Sequence, residues 1–174
     1  IGNGLITFNP DQNGSGTNWG GRPIPDNALP NNYIAPLWLF GEPDFKELYP
    51  YSGIYYQLYE DRVLVEYRDY NSNFSMGEPI SFEVILYKNG NIKYQYLMPT
   101  GTTNLVTQFG TIGIENEDGT DGVMISQYQK VVNTNMAITL YPAHMYTIPP
   151  SQTRDFKMLL DAKYLVGGSY ADSI

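Results

Sequence analysis

The run Ile80-Ser-Phe-Glu-Val-Ile-Leu-Tyr87, the triplet Lys88-Asn89-Gly90 and the run Asn91-Ile-Lys-Tyr-Gln-Tyr96 leave this chain few options. β-Branched and aromatic residues flank an Asn-Gly, the strongest short-range signal for a β-hairpin. The length of the turn then decides which faces form. A two-residue turn at Asn89-Gly90 pairs Leu86 with Lys93 and mixes apolar with charged side chains on both faces. A three-residue loop, with Lys88-Asn89 in a type I turn and Gly90 left-handed as a bulge, pairs Tyr87 with Asn91 instead. Phe82, Val84, Leu86, Ile92, Tyr94 and Tyr96 then share one face, opposite Glu83, Ile85, Tyr87, Lys93 and Gln95. A one-residue slip moves every side chain to the other face, so the register that segregates apolar from polar is the predicted one.

The rest of the chain agrees with a sheet protein. Gly53-Ile-Tyr-Tyr-Gln-Leu-Tyr59, the turn Glu60-Asp61 and Arg62-Val-Leu-Val-Glu-Tyr-Arg68 read as a second hairpin. Val63, Val65 and Tyr67 face one way in it, and Arg62, Glu66 and Arg68 the other. Ile1 to Phe8 reads as a strand interrupted by Gly2 and Gly4, with Leu5 to Phe8 as its packed part. Asn9 to Asn32, rich in Asn, Gly, Pro and Ser, reads as a long loop. Ile34 to Phe40 is nearly all apolar but carries Pro36, which a central ladder rejects, so a buried edge segment or a strand entry is expected, with Trp38 as a core anchor. Asp69 to Pro79 and Pro99 to Gln108 read as loops, and Asn116 to Gly122 as an acidic turn. Short strands follow at Gly110–Glu115, with Ile112 and Ile114 inward, at Val123–Tyr128 and at Met136–Tyr141. Many short strands separated by turn signals predict an all-β, antiparallel, jelly-roll-like β-sandwich over 1–142. The tail over 143–174 changes character. Phe156, Leu159, Leu160 and Tyr164 recur at helical spacing between a cap at Ser151 or Thr153 and a stop at Gly167, which predicts one short helix in a docking arm.

Composition narrows the chemistry. Ten basic against 18 acidic residues give a net charge of -8, which disfavours nucleic acid. The chain has no cysteine, hence no disulfide, thiolate metal site or cysteine nucleophile, and no run long enough to span a bilayer. It also lacks an initiator Met and a secretory segment, which fits a processed or trimmed product. Polarity comes instead from Asn, Gln, Ser, Thr and 16 tyrosines, the composition of an all-β outer-surface protein.

The ordered motifs Gly2-Asn3-Gly4-Leu5-Ile6-Thr7-Phe8, Asn32-Tyr-Ile-Ala-Pro-Leu-Trp38, Asp61-Arg-Val-Leu-Val-Glu66, the Ile80–Tyr96 hairpin, Gly110-Thr-Ile-Gly-Ile-Glu-Asn116 and Ala137-Ile-Thr-Leu-Tyr141 resemble the nidogen-like β-sandwich. Such domains occur in secreted microbial surface proteins and beside subtilisin-like proteases. The resemblance implies an extracellular, non-catalytic module and supplies no active-site residues. Members of that family generally carry a strand or hairpin ahead of the Asn-Gly segment at which this chain begins, and the tail after Pro142 has no counterpart among them.

Candidate sites are few. Asp11, Asn13 and Ser15 place oxygen ligands at alternate positions before Gly16, as in a calcium loop, but Arg22 stands where the bidentate acid belongs. A Gly-rich turn is the commoner meaning of that pattern, and no cofactor other than calcium is expected there. His144, the single histidine, has no nucleophile motif beside it. Glu66 and Glu83 on strands are a conceivable carboxylate pair for glycoside hydrolysis. The expected function is therefore a non-catalytic surface module, structural, self-assembling or adhesive, working by protein contact and strand exchange. Its partners are other copies of itself or neighbouring domains of a precursor. The alternative is an accessory substrate-binding domain of a secreted subtilisin-like protease or other hydrolase, with carbohydrate among its ligand classes. A contiguous aromatic patch on one face favours that alternative, and open edges favour assembly.

Overall fold

The computed structural model describes residues 2–9, 21–43, 49–72, 79–97 and 110–142. Its strands are β1 (Ile6–Thr7), β2 (Tyr33–Trp38), β3 (Gly41–Pro43), β4 (Gly53–Leu58), β5 (Arg62–Ser72), β6 (Ile80–Tyr87), β7 (Ile92–Leu97), β8 (Thr111–Glu115), β9 (Gly122–Gln127) and β10 (Met136–Leu140). They form two antiparallel sheets, one in the order β1-β2-β8-β9 and one in the order β10-β7-β6-β5-β3, with β4 also pairing β5. The sheets face each other across one apolar core, so the fold is an all-β sandwich. The tail's predicted helix lies outside the described residues, as do Pro99 to Gln108.

The β6–β7 hairpin has the predicted bulged turn. The Tyr87 N–H donates to the Asn91 carbonyl and the Gly90 N–H to the Tyr87 carbonyl, both at 2.9 Å, with Gly90 at φ 88. The Asn91 N–H also donates to Asn89 Oδ1 at 3.0 Å, a local contact that an Asn in the turn supplies. Leu86 therefore stands opposite Ile92, Val84 opposite Tyr94 and Phe82 opposite Tyr96, all on the core face. The β4–β5 hairpin follows the predicted register too, with Leu58 opposite Val63 and Tyr56 opposite Val65.

In three segments that depart from the reading by sequence an irregular residue is absorbed rather than excluded. β2 is an interior strand between β1 and β8, not an edge. Pro36 is tolerated because the register shifts there, so that Pro36 and Leu37 together oppose Ile112 and no ladder N–H is demanded of the proline. β5 runs on to Ser72 where a loop was expected from Asp69. A bulge with Asp69 at φ 49 adds one residue and turns both Tyr67 and Tyr70 inward. At the start of the chain, Asn3 and Gly4 take φ 47 and 70 and close a two-residue turn that pairs Gly2 with Leu5. The packed strand that follows is shorter than Leu5 to Phe8, and Phe8 is exposed.

Tyrosine hydroxyls tie one layer to the other. From the larger sheet, Tyr67 donates to the Leu5 carbonyl at 3.0 Å, Tyr94 to the Gly113 carbonyl at 2.9 Å and Tyr96 to the Pro36 carbonyl at 2.6 Å. Each acceptor sits where a ladder is interrupted: the Gly2–Leu5 turn, the β8–β9 register shift and the β2 bulge. At each point a phenol adds a hydrogen bond to a main-chain carbonyl, and at Leu5 it joins the Gly2 N–H, which donates to the same carbonyl at 3.2 Å. Burial pushes all three phenols well above their ordinary pKa. Tyr67 also stacks on Phe82 with ring centroids 4.5 Å apart, and Tyr70 meets Phe82 edge-on at 5.8 Å.

The outer face of the smaller sheet is roofed by residues 21–31. Trp38 is fully buried there as the expected anchor, edge-on to Tyr33 at 5.2 Å, with the Arg22 guanidinium 5.3 Å from its ring. Arg22 Nη2 fastens the loop by donating to the carbonyls of Ala28 and Leu29. Ile24, Leu5 and Ala35 complete this second small core.

Candidate functional site

Two regions of the larger sheet remain open to a partner. The first is on its outer face. Glu66 on β5, Glu83 on β6 and Gln95 on β7 are directly opposed across three strands, and Lys93 lies one pair along. With Ser81, Leu97 and Asn135 they line a shallow depression of about 470 Å3. The carboxylate pair considered from sequence is thus brought together as cross-strand neighbours. Glu66, however, is engaged by a forked contact from Arg68, whose Nε and Nη2 donate to its two oxygens at 3.0 and 2.9 Å. Desolvation, with the Glu66 charge adding to it and Lys93 opposing it, raises the Glu83 carboxyl above its usual range. Chemically this is a polar, mixed-charge surface able to hydrogen-bond a ligand laid across the strands.

The second region is the free edge at β4, which pairs β5 and has no strand on its other side among the described residues. Its side chains are Ile54, Tyr55, Tyr56, Gln57 and Leu58, with neither a charge nor a proline among them. Tyr56 is 72% exposed and Leu58 63%, although both lie on the core-facing side of the sheet, in line with Val65 and Val63. Tyr55 and Tyr59 turn to the outer side, where the Arg68 and Arg62 guanidinium groups lie 5.0 and 4.6 Å from their rings. The exposed aromatics therefore straddle an edge instead of tiling one face.

The other edges are blunted in the ways sheet proteins use against unwanted pairing. β1 has two residues and β3 three, with Pro43 in the latter. β9 begins beside the acidic turn of Glu117, Asp118 and Asp121, and β10 is followed closely by Pro142. β4 is longer than β1 and β3 and has no charge or proline within the strand itself, although Pro50 precedes it and the acidic turn Glu60-Asp61 follows it. A neutral window rich in β-formers was legible in the sequence as a strand; that it has no strand on its far side among the described residues was not.

Asp11, Asn13, Ser15 and His144 lie outside the described residues. No group of three or more His, Asp or Glu side chains able to hold a metal occurs among the described residues. No curated protein and no solved structure matches the chain. A family model described as NIDO related matches residues 1–153, and the chain belongs to that family of generally extracellular, typically non-catalytic domains.

Proposed function

We propose that this domain is a structural or adhesive surface module that works by protein–protein contact, with strand pairing at an open edge as its means of attachment. The observation that carries this reading is the β4 edge, open among the described residues, six residues long and uncharged, with exposed Tyr55 and Tyr56 in it and exposed Tyr51 and Tyr59 flanking it. A row of outward main-chain groups beside apolar side chains is what β-strand addition uses: the backbone supplies affinity and alternate side chains supply selectivity. Net charge of -8 keeps such a protein dispersed elsewhere on its surface, so contact is channelled to the neutral strip. Sedimentation velocity and light scattering of the full chain over a wide concentration range test this. Reversible association is expected, and a protein that stays monomeric at the highest concentration counts against self-assembly.

A second reading, an accessory substrate-binding domain of a secreted hydrolase, draws on the outer-face depression. It predicts that Glu83→Ala or Lys93→Ala weakens binding of a soluble polymeric substrate while leaving association unchanged, and substitutions in β4 do the reverse.

A further inference from the structure

Building on the contact reading above, we propose that the partner at this edge is a second copy of the chain, joined by antiparallel pairing of β4 with itself across a two-fold axis that passes through Tyr56. The argument begins with main-chain parity. In the β4–β5 hairpin the Tyr59 N–H donates to the Arg62 carbonyl at 2.9 Å, which makes that pair the hydrogen-bonded one. Alternation then commits the main-chain groups of Gly53, Tyr55 and Gln57 to β5. Those of Ile54, Tyr56 and Leu58 point to the open edge. The Leu58 carbonyl accepts the Gln57 Nε2 at 3.1 Å, an exposed side-chain contact that a pairing strand would share or displace.

Self-pairing must match outward groups with outward groups and keep core-facing side chains on one side. Setting Tyr56 opposite Tyr56 of the second copy meets both conditions. Ile54 then faces Leu58 of the second copy, and Leu58 faces Ile54. All three are the outward-directed residues, all three are apolar, and all lie on the core-facing side. Each such pair exchanges two main-chain hydrogen bonds. A one-residue slip sets core-facing against outward-facing side chains and is rejected. A slip of two residues, with Tyr55 on the axis, leaves Leu58 opposite Ser52 and forfeits one apolar pair.

Charge supports the same register. The acidic turn is the local hazard for two copies of a chain with net charge -8, yet here Glu60 lies opposite Ser52 and Asp61 opposite Tyr51. No like charges are opposed. An isologous contact of this kind closes on itself and joins two larger sheets into one continuous sheet through the dimer.

The test exploits the axis. Tyr56→Lys and Tyr56→Glu each place like charges against themselves in a homodimer but opposite charges in a mixed pair. Because Tyr56 is 72% exposed, neither substitution disturbs the core. In sedimentation velocity on the full chain, each variant alone is expected to associate about tenfold more weakly than the parent, or less. An equimolar mixture is expected to recover association. The chain has no cysteine, so Tyr56→Cys supplies a unique thiol, and a short bis-maleimide is expected to link two copies at 56 but not at Val123→Cys on β9. If the parent associates but both charge variants do so equally well, the mixture gives no rescue, or linking occurs at 123 alone, the β4 dimer is overturned while a contact role stands. A parent chain that is monomeric at every concentration, with no linked product at 56, overturns the dimer and the self-assembling role together.

Discussion

Tyr56 and Tyr94 stand on one row of one face of the same sheet, joined through Val65 and Val84 as successive cross-strand neighbours. Tyr94 is fully buried and spends its hydroxyl on the Gly113 carbonyl of the opposite sheet, whereas Tyr56 is 72% exposed. Residue type, strand face and hairpin register are the same for both. What differs is the reach of the second layer. The shared core takes in the middle of the larger sheet, where ladder irregularities in β2 and β8–β9 lie across from phenols, and of β4 only Ile54 packs against it, leaving Tyr56 and Leu58 exposed. A tyrosine is therefore a structural bolt or an exposed surface residue according to whether an interrupted ladder lies across from it.

The widest separation between the two is expected on truncation. Tyr94→Ala removes a buried aromatic and its hydrogen bond, at a cost of about 3–5 kcal/mol. Tyr56→Ala is expected to change stability by about 0.5 kcal/mol or less, as an exposed substitution. Urea unfolding of both variants measures the contrast, and equal losses would erase the distinction between covered and uncovered ends. A finer cut comes from Tyr96→Phe, which keeps the packing but removes the hydroxyl's buried hydrogen bond to the Pro36 carbonyl at the β2 bulge. About 1–3 kcal/mol is the expected loss. Phe at position 56 orphans nothing in the core and is expected to be neutral.

How far the sequence could go follows from the same contrast. The hairpin at Ile80–Tyr96 was legible down to its register because strand alternation and an Asn-Gly turn are local signals that agreed with each other. Pro36 and Asp69 were misread because each is unfavourable in a regular strand and favourable in a bulge. Whether a bulge forms depends on the opposing strand, Ile112 in one case and Ser81 in the other, which is a non-local fact. The carboxylates Glu66 and Glu83 were recognisable as strand residues on the wet side, but their adjacency needed the β5–β6 register. For β4 the strand was plain and its open side among the described residues was not, because exposure at an edge depends on non-local packing.

Turn chemistry offers the next, smaller test. Gly90→Ala places a side chain at φ 88, where its Cβ also comes within 2.8 Å of Pro142 Cγ. The left-handed conformation alone costs about 1 kcal/mol, and displacing the proline ring adds to it. Chemical denaturation is expected to show a loss of that size, with the β6–β7 register retained in amide exchange. A variant as stable as the parent would mean that the turn can relax to a form without a positive φ at 90, and the face segregation of this hairpin would need another cause.

The smallest effect expected compares the roofed outer face of one sheet with the open outer face of the other. Glu115 is buried under the 21–31 loop, where one carboxylate oxygen accepts the Asp26 N–H at 2.8 Å. Burial raises its pKa above 4.5, against the hydrogen bonds from Asp26 and Tyr33 and the charge of Arg22, with the Asp26 charge adding to the rise. An acid whose folded pKa is raised holds its proton more tightly in the folded state, so stability falls as pH climbs from 4.5 through the folded value. Glu115→Gln removes the buried charge while keeping an oxygen for the Asp26 N–H. Melting temperatures are expected to favour the glutamine variant modestly at neutral pH, with the gap closing as pH drops below 4.5. Glu83 is raised for the same reason but lies half-buried on the open face, so Glu83→Gln is expected to show a weaker form of the same trend. If the glutamine at 115 is instead less stable at neutral pH, Arg22 compensates the charge more than burial penalises it, and the roof is held by an ion pair rather than by Trp38 and Ile24.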